Sequence, residues 1–252
     1  MNKYIIDVSG HQGSIDFAKV KAAGVSGVML KCTEGDGYLS PAFLQNYKNA
    51  LAAGLAVGAY HFLRAGTVNA AAKEGRWFAQ NTKGLTLSLG LALDMEPEGC
   101  AWDTANDGEP ISPTQAYNIV NAFSQNAGGG RLWLYSTIDY FNRFLTDEDL
   151  QCCPKWLANP SKLPFSKPVE MVQYSWKGRV DGISTDVDLN LLLPCPQSLD
   201  MPALAKEPVV FEAAGEPEPE PTPEPGESKW IYRLTGKIGC VAVDLTLERL
   251  EV

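Results

Sequence analysis

An α/β barrel, irregular in its last third, is the fold that three features of the sequence predict. Short apolar runs alternate with helix-patterned stretches from Tyr4 to Ser136. About eight strand-like runs fall within roughly 200 residues, the number and spacing of a closed strand–helix barrel. The runs after Ser136 follow one another without full helices between them. The fold class is therefore a TIM-like β/α barrel of about five strand–helix units, closed by helix-poor strands that need not all be parallel.

The elements follow in order. Tyr4–Val8 reads as a strand, and Asp16–Ala23 as a helix with an acidic first turn. Gly27–Cys32 (GVMLKC) is a second strand. Pro41–Ala53 reads as a helix with proline at its start and Gly54 just past its end, the usual asymmetry. Leu55–Phe62 (LAVGAYHF) is a third strand, Val68–Thr82 a helix, and Leu89–Asp94 a fourth strand. Ser112–Ala127 is helical, with Ser112 as N-cap, Pro113 in the first position and Gly128-Gly129-Gly130 as the stop. Arg131–Ser136 (RLWLYS) is a fifth strand, and Lys155–Ala158, Val169–Ser175 and Ser184–Leu189 are the closing strands.

Residues 1–205 form the predicted barrel domain, which runs out near Leu193–Leu204. Residues 206–228 include GEPEPEPTPEPGES. Alternating Glu and Pro buries nothing, favours polyproline II and repels itself, so this is a stiff, solvated linker. Seven of the 30 acidic residues fall there against the single Lys206, so much of the net charge of −9 belongs to the linker. The barrel itself is only mildly acidic and lacks the basic footprint of a nucleic-acid binder. Residues 229–252 alternate apolar and polar positions from Val241 onward and read as a short β-like tail, either a wall-targeting or self-associating element or a frayed remnant. No run is long enough to span a bilayer, and the start shows no apolar signal core. The six cysteines form no CxxC pair and no ligand set with His11 and His61, so reduced thiols and no metal or cofactor are expected.

The chemistry is concentrated in carboxylates at strand ends. Leu91-Ala92-Leu93-Asp94-Met95-Glu96-Pro97 is an apolar run ending in Asp-x-Glu. Residues two apart on a strand face the same way, their Cα atoms roughly 6.5–7 Å apart. Strand C-terminal ends open into a barrel's active-site mouth. Two carboxyls there resist joint ionisation, so one keeps its proton to higher pH. Glycoside hydrolysis needs one protonated and one ionised carboxyl side by side. Asp7, among Ile5, Ile6 and Val8, and Glu34, just after the second strand, are further strand-end acids. Asp188 is another, with Asp186 equally placed by spacing.

At this point the motifs resemble glycoside hydrolase family 25, the Chalaropsis-type lysozymes common among phage endolysins. The likeness rests on Ile6-Asp7-Val8-Ser9-Gly10-His11-Gln12-Gly13, Lys31-Cys32-Thr33-Glu34-Gly35, Ala53-Gly54-Leu55-Ala56-Val57-Gly58-Ala59-Tyr60-His61-Phe62, Leu93-Asp94-Met95-Glu96 and Val187-Asp188-Leu189-Asn190. They occur in the right order between about Tyr4 and Leu193. The resemblance implies hydrolysis of the β-1,4 bond between N-acetylmuramic acid and N-acetylglucosamine in bacterial peptidoglycan. It implies catalytic positions Glu96, Asp94, Asp7 and Asp188, and groove positions Lys31, Tyr60, Tyr135 and Gln173. Glu34 and Trp156 are added as substrate-binding candidates, although barrel core explains Trp156 as well. Cys32, Val172 and Asn159 depart from the family's usual residues, none of them at the acid.

In this reading Glu96 is the general acid, and Asp94 either orients the substrate's 2-acetamido group or stabilises charge. A water-activating base with inversion is the other course. His61 reads as a structural, hydrogen-bonded histidine, because the two-carboxylate scheme leaves it no task. A non-catalytic wall-binding barrel and a metal-dependent barrel hydrolase are the alternative classes. The family context implies an endolysin that waits in the host cytoplasm and then acts on the wall.

Overall fold

The computed structural model describes residues 3–96, 111–129, 132–144, 150, 153–161, 163–199 and 210–211. Of the predicted 206–228 linker only Val210–Phe211 is described, and it is not solvated spacer but a short strand paired in parallel with Arg179 and Val180; the rest of the linker and the 229–252 tail lie outside the described residues. In chain order the elements are β1 (Lys3–Val8), α1 (Phe17–Ala22), β2 (Gly27–Glu34), β3 (Tyr38–Leu39), α2 (Phe43–Ala52), β4 (Ala56–Phe62) and α3 (Val68–Thr82). They continue with β5 (Gly90–Asp94), α4 (Pro113–Asn126), β6 (Leu132–Thr137), α5 (Ile138–Phe144), β7 (Lys155–Ala158), β8 (Phe165–Val180), β9 (Val187–Leu199) and β10 (Val210–Phe211). Among the described residues no helix is long and apolar enough to cross a membrane.

Eight strands close into a barrel in the order β1-β9-β8-β7-β6-β5-β4-β2, with β2 returning to β1. From β1 through β2 and β4 to β8 the pairings are parallel. Strand β9 runs antiparallel to both β8 and β1 and closes the ring. Five strand–helix units therefore precede three strands that follow one another directly.

Local chemistry explains the helix boundaries. The Asp16 and Thr67 side chains cap α1 and α3 by accepting from Lys19 N and Ala70 N. Ser112 and Gln115 form a reciprocal capping box on α4, with Pro113 at its first position. Gly54 and Gly128 follow α2 and α4 at φ +73° and +91°, the left-handed region that ends a helix cheaply only with glycine. Helix α2 starts at Phe43 rather than Pro41, because Phe43 N–H closes a turn on Ser40 C=O ahead of it. Strand β9 starts at Val187 rather than Ser184, since a turn from Val180 C=O to Ile183 N–H occupies the approach. The short α5 was not predicted; it buries Tyr140, Phe141 and Phe144.

Strand alternation sorts the side chains. Outward residues such as Ile6, Leu30, Val57, Leu93, Leu157 and Val172 pack with helix residues Phe17, Phe43, Phe78 and Phe123. Inward residues Ile5, Met29, Ala92, Trp133 and Met171 fill the barrel as a second apolar cluster. Gly58 lies beside Met29 in that interior; a Cβ there would run into Met29 Sδ.

Candidate active site

One step of two residues along the inward face turns the interior from apolar to polar. Ile5 is followed by Asp7, Met29 by Lys31, Gly58 by Tyr60, Ala92 by Asp94, Trp133 by Tyr135 and Met171 by Gln173. All of these second residues stand toward the C-terminal ends of parallel strands. Strand β9 runs the other way, so its first residues reach the same end, and Asp188 pairs in register with Asp7. Together they surround a cavity of about 220 Å³, whose walls also include Glu96, Trp156, His11 and Phe62.

Asp7 is buried and held by two amides. Asn190 Nδ2 donates to Asp7 Oδ2 at 2.7 Å and Gln173 Nε2 donates to the same oxygen at 3.0 Å. Two indoles fix the amide orientations. Trp156 Nε1 donates to Asn190 Oδ1 at 2.6 Å, and Trp176 Nε1 donates to Gln173 Oε1 at 2.7 Å. An indole N–H can only donate, so each amide must turn its oxygen to the tryptophan and its NH₂ to the carboxyl. Tyr135 Oη adds a donation to Gln173 Oε1 at 2.9 Å. Burial pushes the Asp7 carboxyl up, and the amide hydrogen bonds pull it partly back. Asp188 is pushed up to about 8, by burial first and then by the Asp7 charge and the hydrogen bond it gives to Asp7. The two carboxyls face each other across the β1–β9 ladder.

Asp94 ends β5, and Glu96 lies two residues beyond it on the same cavity wall. Asp94 is 7% exposed. Burial, then the Glu96 charge, then that of Asp7 raise its carboxyl well above the usual carboxylate range; Lys31 opposes them. Among the described residues, Asp94 Oδ1 has no hydrogen-bond partner. Tyr60 and Tyr135 are raised too, by burial and then by the surrounding carboxyls, so both phenols stay neutral.

Lys31 lines the cavity, but Glu34 does not. Glu34 stands behind Lys31, 2.5 Å from its Nζ, and its other oxygen takes Arg64 Nη2 at 2.6 Å. Those cations hold the Glu34 carboxyl down against its partial burial. Phe62 lies between them, with Lys31 Nζ and Arg64 Cζ each 4.8 Å from its ring centre. Trp156 belongs to both readings: it is 2% exposed, packs edge-on against Tyr60 and Tyr135, and lines the cavity. His61 faces away from the cavity into the β4–α3 layer, between Thr33 Oγ1 and Glu74 Oε2, each at 2.8 Å. Asp186 is exposed and paired with Arg179 at 2.8 Å, so Asp188 is the member of that pair in the site. The Cys32 thiol is buried and pushed up to about 12, out of reach as a nucleophile.

Sequence reasoning missed Asn190, Trp176 and Arg64. Asn190 carried a usable signal, since it sits two residues from Asp188 on one strand face. Trp176 and Arg64 carried none.

The likeness to known proteins is extensive. The family model described as glycosyl hydrolases family 25 matches residues 6–183. Lysozyme M1 of Streptomyces globisporus is 33% identical over 210 residues, 73% of this chain and 66% of that protein. The autolytic lysozyme of Clostridium acetobutylicum is 33% identical over 191 residues, 73% of this chain and 54% of that protein. The chain thus spans between half and two thirds of the length of these two relatives. The crystal structure of a bacterial lysozyme from Streptomyces coelicolor superposes with a TM-score of 0.64 at 31% identity, over 75% of this chain and 91% of that one. The fold, the order of the strand-end carboxyls and the match across residues 6–183 lead to one conclusion: the chain belongs to glycosyl hydrolases family 25.

Proposed function

We propose that the protein is a muramidase, hydrolysing the β-1,4 bond between N-acetylmuramic acid and N-acetylglucosamine of bacterial peptidoglycan. The observation that carries this reading is the Asp94–Glu96 pair, one member buried and the other two residues on, on the wall of a cavity ringed by Asp7, Asp188 and aromatic side chains. Its relatives are named lysozymes, which supports the same chemistry.

In this mechanism Glu96 protonates the leaving glycosidic oxygen. The Asp94 carboxylate accepts the N–H of the substrate's 2-acetamido group and turns its carbonyl oxygen toward the anomeric carbon. That oxygen forms the new bond as the glycosidic bond breaks. Water then attacks the anomeric carbon, gives its proton to Glu96, and releases the acetamido oxygen. Substrate binding also sets the proton in place. The Glu96 charge helps to raise the Asp94 carboxyl in the free site, and an N–H donated to Asp94 favours its ionised form, which directs the proton to Glu96. The amide-held Asp7 and Asp188 contribute a fixed polar wall that orients sugar or water.

Replacing Glu96 with Gln removes the proton while keeping the shape. Clearing of cell walls by Glu96→Gln is expected to fall about 10²–10⁴-fold or more, with an unchanged thermal midpoint. Undiminished clearing would refute the acid assignment. Mass analysis of reduced digestion products checks the bond: reduced muramic acid ends support a muramidase, whereas reduced glucosamine ends or freed peptides contradict it. Lysis of a host from its own cytoplasm, in the manner of an endolysin, is part of the proposal and rests on the family resemblance.

A further inference from the structure

We propose that Trp176 is a sugar-stacking platform at the rim of the cleft, seating a pyranose ring of the glycan strand beside the Asp7–Asp188 wall. The inference deepens the muramidase reading and rests on it. Trp176 is 53% exposed, although tryptophan is ordinarily well buried. Its polar end is nonetheless fixed, because Nε1 donates to Gln173 Oε1 at 2.7 Å. Gln173 is 2% exposed, and the other end of its amide holds Asp7 at 3.0 Å and approaches Asp188 Oδ2 at 3.4 Å. One buried amide therefore separates the exposed indole from the carboxyls.

The backbone is bent to make this contact. Residues three apart on a regular strand face opposite sides. The β8–β9 register slips between Gln173 and Ser175 and again between Ser175 and Gly178. Such irregularities re-aim side chains and recur beside active sites. Here they bring Trp176 round to the side of Gln173, and Lys177 N–H closes the bend on Ser175 Oγ at 3.1 Å. Gly178 is required where the bend returns, since a Cβ there would collide with the Leu189 side chain. The Arg179–Asp186 ion pair and the bond from Gln12 Nε2 to Asp186 C=O brace the adjoining loops.

An indole with a satisfied N–H and open ring surface suits a ligand that is apolar on its faces and polar round its edge. A pyranose has that form, with axial C–H bonds over its face and hydroxyls at its rim. The cavity wall includes Gln173, and Trp176 lies against that residue's amide, so a polymeric strand that outruns the cavity on this side would meet the indole.

Steady-state kinetics on soluble, uncross-linked glycan strands test the proposal with the parent, Trp176→Ala and Trp176→Phe. Stacking that is equal in ground and transition states moves KM and spares kcat. Tyr135 Oη still donates to Gln173 Oε1 when the indole is removed, so Trp176→Ala is expected to raise KM about tenfold with kcat within about twofold. Trp176→Phe keeps a ring and loses the N–H, and is expected to stay within about threefold of the parent KM. A KM for Trp176→Ala equal to the parent's overturns the platform. So does an equal loss of kcat in both variants at unchanged KM, which would make Trp176 only a donor that positions Gln173. A parent that leaves the strands whole removes the muramidase reading, and the platform with it.

Discussion

The two halves of the barrel interior differ by a single step along the same strands. The lower layer, with Ile5, Met29, Ala92, Trp133 and Met171, is packed and apolar. The upper layer, with Asp7, Lys31, Asp94, Tyr135 and Gln173, is polar and surrounds a cavity. The lower layer gains stability from burial. The upper layer does the reverse: Asp7, Asp94 and Asp188 are all shifted toward their neutral forms by burial. A rigid apolar floor is what lets so many carboxyls be held together above it.

Substitutions in the two layers should therefore separate activity from stability. The largest effect is expected in the upper layer. Asp94→Asn keeps the shape but removes the charge that would hold the acetamido group, and activity should fall about 10²–10⁴-fold. The same change removes a buried ionisable group, so denaturant unfolding should show equal or higher stability, by about 0.5–2 kcal/mol. A large loss of stability would place Asp94 among the structural residues. In the lower layer the pattern should invert. Met29→Ala opens a hole beside Gly58 and should cost about 2–5 kcal/mol, with kcat near the parent's wherever the protein remains folded. An inactive but fully stable variant would break the comparison.

The smallest effect is one of pH. Asp188 has an ordinary value of 3.8 and stands at about 8 in the fold. Between these values the folded state holds more protons than the unfolded one, so this group's contribution to stability falls as pH rises from about 4 to about 8. Asp7 and Asp94 shift the same way. His61 is lowered by burial and works in the opposite sense below about 6.5. Comparing Asp188→Asn with the parent cancels the His61 contribution. The variant should lose less stability across pH 4–8, and a parallel profile would contradict the upward shift.

Much of this arrangement was legible in the residues because it follows strand alternation. Asp94 and Glu96, two apart at a strand end, could be placed together from spacing. His61 could be set aside because two carboxyls leave it no task, and its place facing Thr33 and Glu74 agrees. The choice between Asp186 and Asp188 could not be made that way, since both have the same parity. It is decided by where β9 begins and by the pairing of Asp188 with Asp7, a contact between distant parts of the chain. Trp176 was hidden for a related reason: two slips of register put it on a side that alternation forbids. Pattern reading recovers what one strand dictates, and it fails where two strands negotiate their register.

The reversed direction of β9 has a consequence for the timing of the protein's birth. A nascent chain that has emerged only as far as Val180 already carries Asp7, Asp94 and Glu96. It lacks Asn190, whose amide lies against Asp7 across 183 positions of chain. It also lacks the strand whose pairing with β1 closes the ring. Loops of that length close late and slowly. A chain released early from the ribosome would thus carry these carboxyls without the enclosure that raises Asp7 and Asp94.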